Sequence, residues 1–401
     1  MINIDLVPNF EKDDLELIKK IAFGYQDLLS KKRVIKILEN YFPNKEILFF
    51  NSARGALTFL LTNLKKFSER RSVITQAFSC LVVPNAIKFA NLQPVFVDID
   101  KSFNLNLDDL KNKLNSDTLA LIIQNTFGIP AKIEEILEIA RKKNVFVIEN
   151  LTHSLGAKYK DNYLGNFGDF ALLSFNRNKV VSSIIGGALI INNPIFKDEL
   201  LKEYQKIEEM GKLEIKRLIF GTLILIYGKK YYRYEITKRM LKFLRELGLT
   251  PEMIKKEEKM GLRPKNYLLK FPFELFVLLE NQLKKLEKFN EQRIKIASIY
   301  FQANLKNFEI NEPSEPIFLR FPVFSEKRNQ ILDYFQKKKI YLGDWYTSVL
   351  APASNNLEIF GYQKGLCPYA EELTKIVFNL PTLIKVEEAH LILEDLKKFL
   401  D

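Results

Sequence analysis

Four short segments carry residue types that could do chemistry together. The first is Asn51-Ser52-Ala53-Arg54-Gly55, small residues set ahead of an apolar run of helical period. Unpaired backbone N–H groups at a helix start bind phosphate, helped by the positive end of the helix dipole. Taken alone, the segment describes an ordinary capped helix better than a phosphate site. The second is Val147-Ile148-Glu149-Asn150-Leu151-Thr152-His153, a β-like run ending in an acid and polar groups. An aromatic nitrogen or a phenolic oxygen of a ligand can be contacted there, although a lone histidine is more often structural. The third runs from Gly165-Asn166-Phe167-Gly168-Asp169 through Ser174-Phe175 to Lys179. Most lysines are solvated surface charges. Lys179 follows a β-run and precedes small residues, and a desolvated lysine loses basicity and condenses with carbonyls. The fourth is Gly186-Gly187, whose lack of side chains admits close approach of a neighbouring backbone.

These residues follow short buried-looking strands. Val73–Thr75, Val95–Val97, Leu119–Ile123 and Val145–Ile148 alternate with helical segments such as Val82–Phe89 and Ile133–Lys143. Such alternation predicts a mostly parallel α/β sheet with crossovers, whose ligands sit at the carboxyl ends of strands. The chain of 401 residues is too long for one core. The expected division is a large domain over 1–200, a basic helical insertion over 201–270, and a connecting helix with a small C-terminal α+β domain over 271–401. In that last part, Phe273–Tyr300 reads as one helix and Phe318–Phe324 as a strand.

Composition narrows the function. Two cysteines, Cys80 and Cys367, and two histidines make no metal-ligand pattern, so no metal is expected. The net charge of +12 is regional: 18 basic and 9 acidic residues lie between Lys202 and Lys270, against 43 and 40 elsewhere. With no accompanying recognition motif, nucleic acid is not the expected partner. The first residues show no basic region followed by an apolar core, and no apolar run is long enough to span a bilayer. A cytoplasmic location is the expectation.

In their order, these segments resemble the DegT/DnrJ/StrS family of sugar aminotransferases. Pro94-Val95-Phe96-Val97-Asp98-Ile99-Asp100 matches a family strand whole, and Gly165…Gly168-Asp169 and Ser174-Phe175…Lys179 match two further motifs. Cys367-Pro368-Tyr369-Ala370-Glu371 and Asn379-Leu380-Pro381-Thr382 resemble the family's closing segment. Several ordered motifs say far more than any one. The resemblance implies the aspartate-aminotransferase fold, fold type I of the enzymes dependent on pyridoxal 5'-phosphate (PLP). It implies that Lys179 anchors PLP covalently. It places Ser174 and the backbone at Ala53 and Arg54 on the phosphate, Ser52 among the cofactor-binding residues, and His153 on the phenolic oxygen. It further implies an amino-acid donor, commonly glutamate, a nucleotide-linked keto-sugar acceptor in polysaccharide or glycan biosynthesis, and a homodimer.

The sequence also departs from the family. Asn150 stands where an Asp usually keeps the ring nitrogen protonated, which makes the ring an electron sink. Cys80 stands at the place of a stacking aromatic, and Asn125 at that of a histidine. Asn125 and Trp345 are candidates for the substrate side. The expected activity is transamination with altered electronics. The alternative is a non-aminating member, either a lyase or dehydratase or a catalytically silent binding protein. Within residues 214–247 the apolar stretch Leu218–Gly228 adjoins a basic amphipathic one. It suits an anionic membrane surface, a partner subunit, the negatively charged nucleotide diphosphate of a substrate, or a solvated insertion.

Overall fold

The structure, a computed structural model, describes residues 2–4, 8–231, 234–246, 250, 252–305, 308–353 and 355–400. Tyr232, Arg233 and Leu247 of the basic stretch therefore lie outside the described residues.

Seven strands form the central sheet: β1 (Glu46–Phe50), β2 (Ser72–Gln76), β3 (Gln93–Val97), β4 (Thr118–Gln124), β5 (Phe146–Asn150), β6 (Phe170–Ser174) and β7 (Gly187–Ile191). Their spatial order is β1-β7-β6-β5-β4-β2-β3. The β3–β2–β4–β5–β6 pairs are parallel, and β7 runs antiparallel to both β6 and β1. Every residue of β2 and β4 is buried, which is why these strands read as continuous apolar runs without alternation. Helices serving this sheet include α1 (Ala53–Leu64) after β1, α2 (Val82–Phe89) between β2 and β3, and α3 (Ile133–Arg141) between β4 and β5.

The insertion folds as α4 (Lys212–Tyr231) and α5 (Glu235–Glu246). Among the described residues no helix is long and apolar enough to cross a membrane. Then come α6 (Phe276–Leu283) and α7 (Leu286–Gln302), so the single helical pattern breaks at Lys284–Lys285. The C-terminal part pairs β8 (Phe321–Phe324) antiparallel with β9 (Val377–Leu380) and closes with α8 (Val386–Leu400). The strand expected from Phe318 starts three residues late because Phe318 has a left-handed φ of 49°. Ile2–Asn3 pairs with Ile340–Tyr341, so the first residues join the C-terminal part.

Candidate active site

Adjacent side chains alternate across a strand, so the end of β5 sends its two polar residues to opposite faces. Glu149 is fully buried. Its carboxylate accepts N–H bonds from Gly165 (2.7 Å), Phe167 (2.7 Å) and Gly168 (2.8 Å). Burial pushes this carboxyl up and the three donors pull it back. Glu149 therefore ties the Gly165–Asp169 turn to the sheet, and Asp169 adds a bond from Val147 N–H to its Oδ2 at 2.9 Å. Asn150 faces the other way, into a cavity of about 290 Å³. Its Oδ1 accepts from Thr152 N–H at 3.2 Å.

Lys179 enters this cavity from the turn after β6. Asn9 Nδ2 donates to the Lys179 carbonyl (2.6 Å) and the Val180 carbonyl (3.0 Å), and Arg293 Nη2 on α7 also donates to Val180 (2.9 Å). Gln282 on α6 accepts from Ser182 N–H and donates to the Asn9 carbonyl. The lysine's backbone is thus fixed from both ends of the chain. Its Nζ lies 3.0 Å from His153 Nε2 and 4.8 Å from the centre of the Trp345 ring.

His153 is fully buried, and its pKa falls well below the ordinary 6.5, first by desolvation and then by the Lys179 and Arg320 charges. This direction favours the uncharged ring at neutral pH. Phe127 N–H approaches His153 Nδ1 at 3.4 Å, and once the Lys179 amine carries no charge Nδ1 is the acceptor and Nε2, the nitrogen facing Lys179, can carry the proton. The indole of Trp345 stacks on His153 with ring centres 5.2 Å apart, and the Arg320 guanidinium covers the indole at 3.3 Å.

The phosphate-type element is α1. Ser52 caps it, its Oγ accepting from Gly55 N–H at 3.1 Å. A methyl group on Gly187 would stand 2.3 Å from Ala53 N, so only glycine lets β7 pass against this helix start. Ser174 sits opposite Gly187 in the β6–β7 ladder. The Arg54 side chain leaves the helix to bind Glu258 (2.9 Å) and the Met253 carbonyl (2.7 Å). That contact brings Glu252, Met253 and Ile254 of the insertion into the cavity wall. Cys80 is held there by the parallel pairing of Ser79–Cys80 with Leu350–Ala351, and burial raises its thiol pKa.

Ser52, Ala53, Arg54, Cys80, Asn150, His153, Ser174, Lys179 and Trp345 all line the one cavity. Asn125 does not. It is buried behind the wall, where its Oδ1 accepts from Ala131 N–H at 2.9 Å to shape the turn after β4. Sequence reading missed Asn9, Gln282, Arg293 and Arg320. Asn9, Gln282 and Arg293 act across a hundred positions or more and Arg320 reaches Trp345 across 25, and no local pattern marks them.

The donor set fits PLP: an amine for its aldehyde, a capped helix start with a glycine cradle for its phosphate, a neutral imidazole donor for its phenolic oxygen. Fold and site together define a PLP-dependent aminotransferase of fold type I. The family model for the DegT/DnrJ/EryC1/StrS aminotransferase family matches residues 31–219 and 276–396. The chain belongs to that family.

The GDP-perosamine synthase of Escherichia coli O157:H7 is 31% identical over 176 residues, 43% of this chain and 48% of that enzyme. The match thus spans about half that enzyme's length. An uncharacterized protein of Methanocaldococcus jannaschii, MJ1066, is 26% identical over 367 residues, 88% of this chain and 85% of that one. Among solved structures, Spr1654 of Streptococcus pneumoniae, named as a sugar aminotransferase and solved in its PLP form, superposes with a TM-score of 0.73. It shares 18% identity over 97% of this chain and 96% of its own, a likeness that establishes the fold.

Proposed function

We propose that this chain moves the amino group of an amino acid, glutamate foremost, onto the keto carbon of a nucleotide-linked sugar. The carrying observation is the Lys179 Nζ–His153 Nε2 distance of 3.0 Å inside the cavity that also receives the α1 helix start. When bound, PLP accepts the amino group from the donor and passes it to the acceptor, its ring drawing off electron density. The protein's own residues supply the rest. The α1 start, Ser52 and Ser174 bind the phosphate, with Gly187 keeping the approach open. Lys179 holds the cofactor and, when released, takes and returns a proton at Nζ. His153, kept neutral, offers Nε2–H to the phenolic oxygen. Trp345 under Arg320 walls off water. Cys80 lies against the cofactor, and Trp345 also borders the sugar.

A second reading, a non-aminating lyase, dehydratase or silent binding protein, rests on the amide at Asn150. One experiment separates the two. Borohydride trapping and peptide mapping should fix the label on Lys179 and lose it in Lys179→Ala, and glutamate should bleach the holoenzyme's colour. Trapping elsewhere ends the first reading. Trapping at Lys179 without bleaching favours the second.

The finer expectations belong to the same proposal. The enzyme acts as a cytoplasmic homodimer, which light scattering after gel filtration tests. The outward face of α5 is assigned to an anionic lipid surface. Ile236, Met240 and Phe243, one stripe at helical spacing, are exposed beside the exposed Arg239 and Lys242. Co-sedimentation with anionic vesicles at low salt supports this assignment, and failure to co-sediment removes it.

A further inference from the structure

Asn150 is the last residue of β5, almost fully buried, and part of the cavity wall. Its amide orientation follows from one bond. Thr152 N–H points at the side chain from 3.2 Å, so the atom facing it must be the carbonyl oxygen. The amide nitrogen is left as the group that looks into the cavity, and no described protein atom accepts a hydrogen bond from it. The carboxylate one residue earlier offers no substitute. Glu149 points to the opposite face, and Gly165, Phe167 and Gly168 occupy its oxygens. Among the described residues, the acids lining the cavity are Glu252 and Asp344, from residues 201–270 and the C-terminal part.

An N–H donor at this place has a definite chemical consequence. A pyridine nitrogen with a free lone pair accepts from it. A protonated pyridinium nitrogen would present N–H to N–H, two donors and no acceptor. Turning the amide over would give the ring its acceptor but strand Thr152 N–H against an NH₂ group, so the conflict moves and does not vanish.

We propose that Asn150 Nδ2 donates a hydrogen bond to the ring nitrogen of bound PLP and holds that nitrogen unprotonated. This rests on the PLP reading above and adds to it the charge state in which the cofactor works. The ring then withdraws electrons less strongly, and a larger share of the task falls on the imidazole donor at His153.

The test is a ¹⁵N NMR spectrum of the holoenzyme reconstituted with PLP labelled at the ring nitrogen. The expected signal lies at the unprotonated pyridine position and stays there from mildly acidic to mildly alkaline pH. In Asn150→Asp the signal should move to the pyridinium position, which a merely structural role for Asn150 does not produce. A pyridinium signal in the wild type, with the label fixed by borohydride on Lys179, overturns this inference and leaves the PLP assignment intact. Failure to retain labelled PLP at all overturns both. Should Asn150→Asp not fold, the wild-type spectrum alone decides.

Discussion

The end of β5 and the outward face of α5 handle their side chains in opposite ways. At β5 two neighbouring polar residues are nearly inaccessible to solvent, and their acceptor oxygens are bound by backbone N–H groups. On α5 three apolar side chains stand in the open, Ile236 at 78%, Met240 at 50% and Phe243 at 58% exposure. Leu241, one position on from Met240, is buried and packs toward Gly228 of α4. The helix therefore has an inner stripe that the fold satisfies and an outer stripe that it does not. Where a group has its partners inside the chain, as the Glu149 carboxylate does, the residue type answers to the fold. Where it does not, it answers to something outside the fold.

That contrast can be broken from either side. The largest effect is expected at Lys179→Ala: activity falls by at least about 10³-fold while the melting temperature barely moves, as kinetics and calorimetry would show. Retained turnover would remove the lysine from the chemistry. Glu149→Ala comes next, stranding three backbone donors and costing about 3 kcal/mol or more of stability in urea unfolding. A loss below about 1 kcal/mol would mean that the Gly165–Asp169 turn holds itself.

His153 gives a smaller, pH-dependent signature. Its folded pKa is depressed, so below about pH 6.5 the unfolded chain binds the extra proton. Its contribution to stability is complete above that value and shrinks as the pH drops toward the folded pKa, by at most about 1.4 kcal/mol per pH unit. Unfolding curves from about pH 7 to 5 should show this slope, flattened in His153→Asn. Last, Ile236→Ser, Met240→Ser and Phe243→Ser should each change stability by less than about 0.5 kcal/mol yet weaken vesicle binding. A larger loss would show that the outer stripe is packed after all.

Much of this was legible in the sequence, for a physical reason. Strands buried on both faces write themselves as apolar runs, so β2, β4, β5 and β6 could be read directly, whereas only the Val95–Val97 end of the edge strand β3 was legible. The closely spaced glycines, the capped helix start and the strand-end lysine are local, and the expected close approach falls at Gly187. What stayed hidden acts at a distance. Asn9, Gln282 and Arg293 meet the lysine turn only in three dimensions. Asn125 looked like a ligand contact because position along the chain does not reveal which side of a wall a side chain takes. Trp345 was expected on the substrate side, but its stacking between Arg320 and His153 could not be seen in the sequence. The break at Lys284–Lys285 was missed because leucines on either side keep the helical period.

The reversed strand β7 has a consequence for how the molecule is made. It is the last of the seven in sequence, yet it sits between the first and the sixth. Until residue 191 has left the ribosome, β1 has no neighbour and the α1 helix start has nothing to lean on. The nascent chain holds an open seam with two unpaired edges, sticky toward other chains. One late insertion both seals that seam and brings Gly187 against the α1 helix start, so if the proposed phosphate site is right, competence to take up cofactor reports that the sheet has closed.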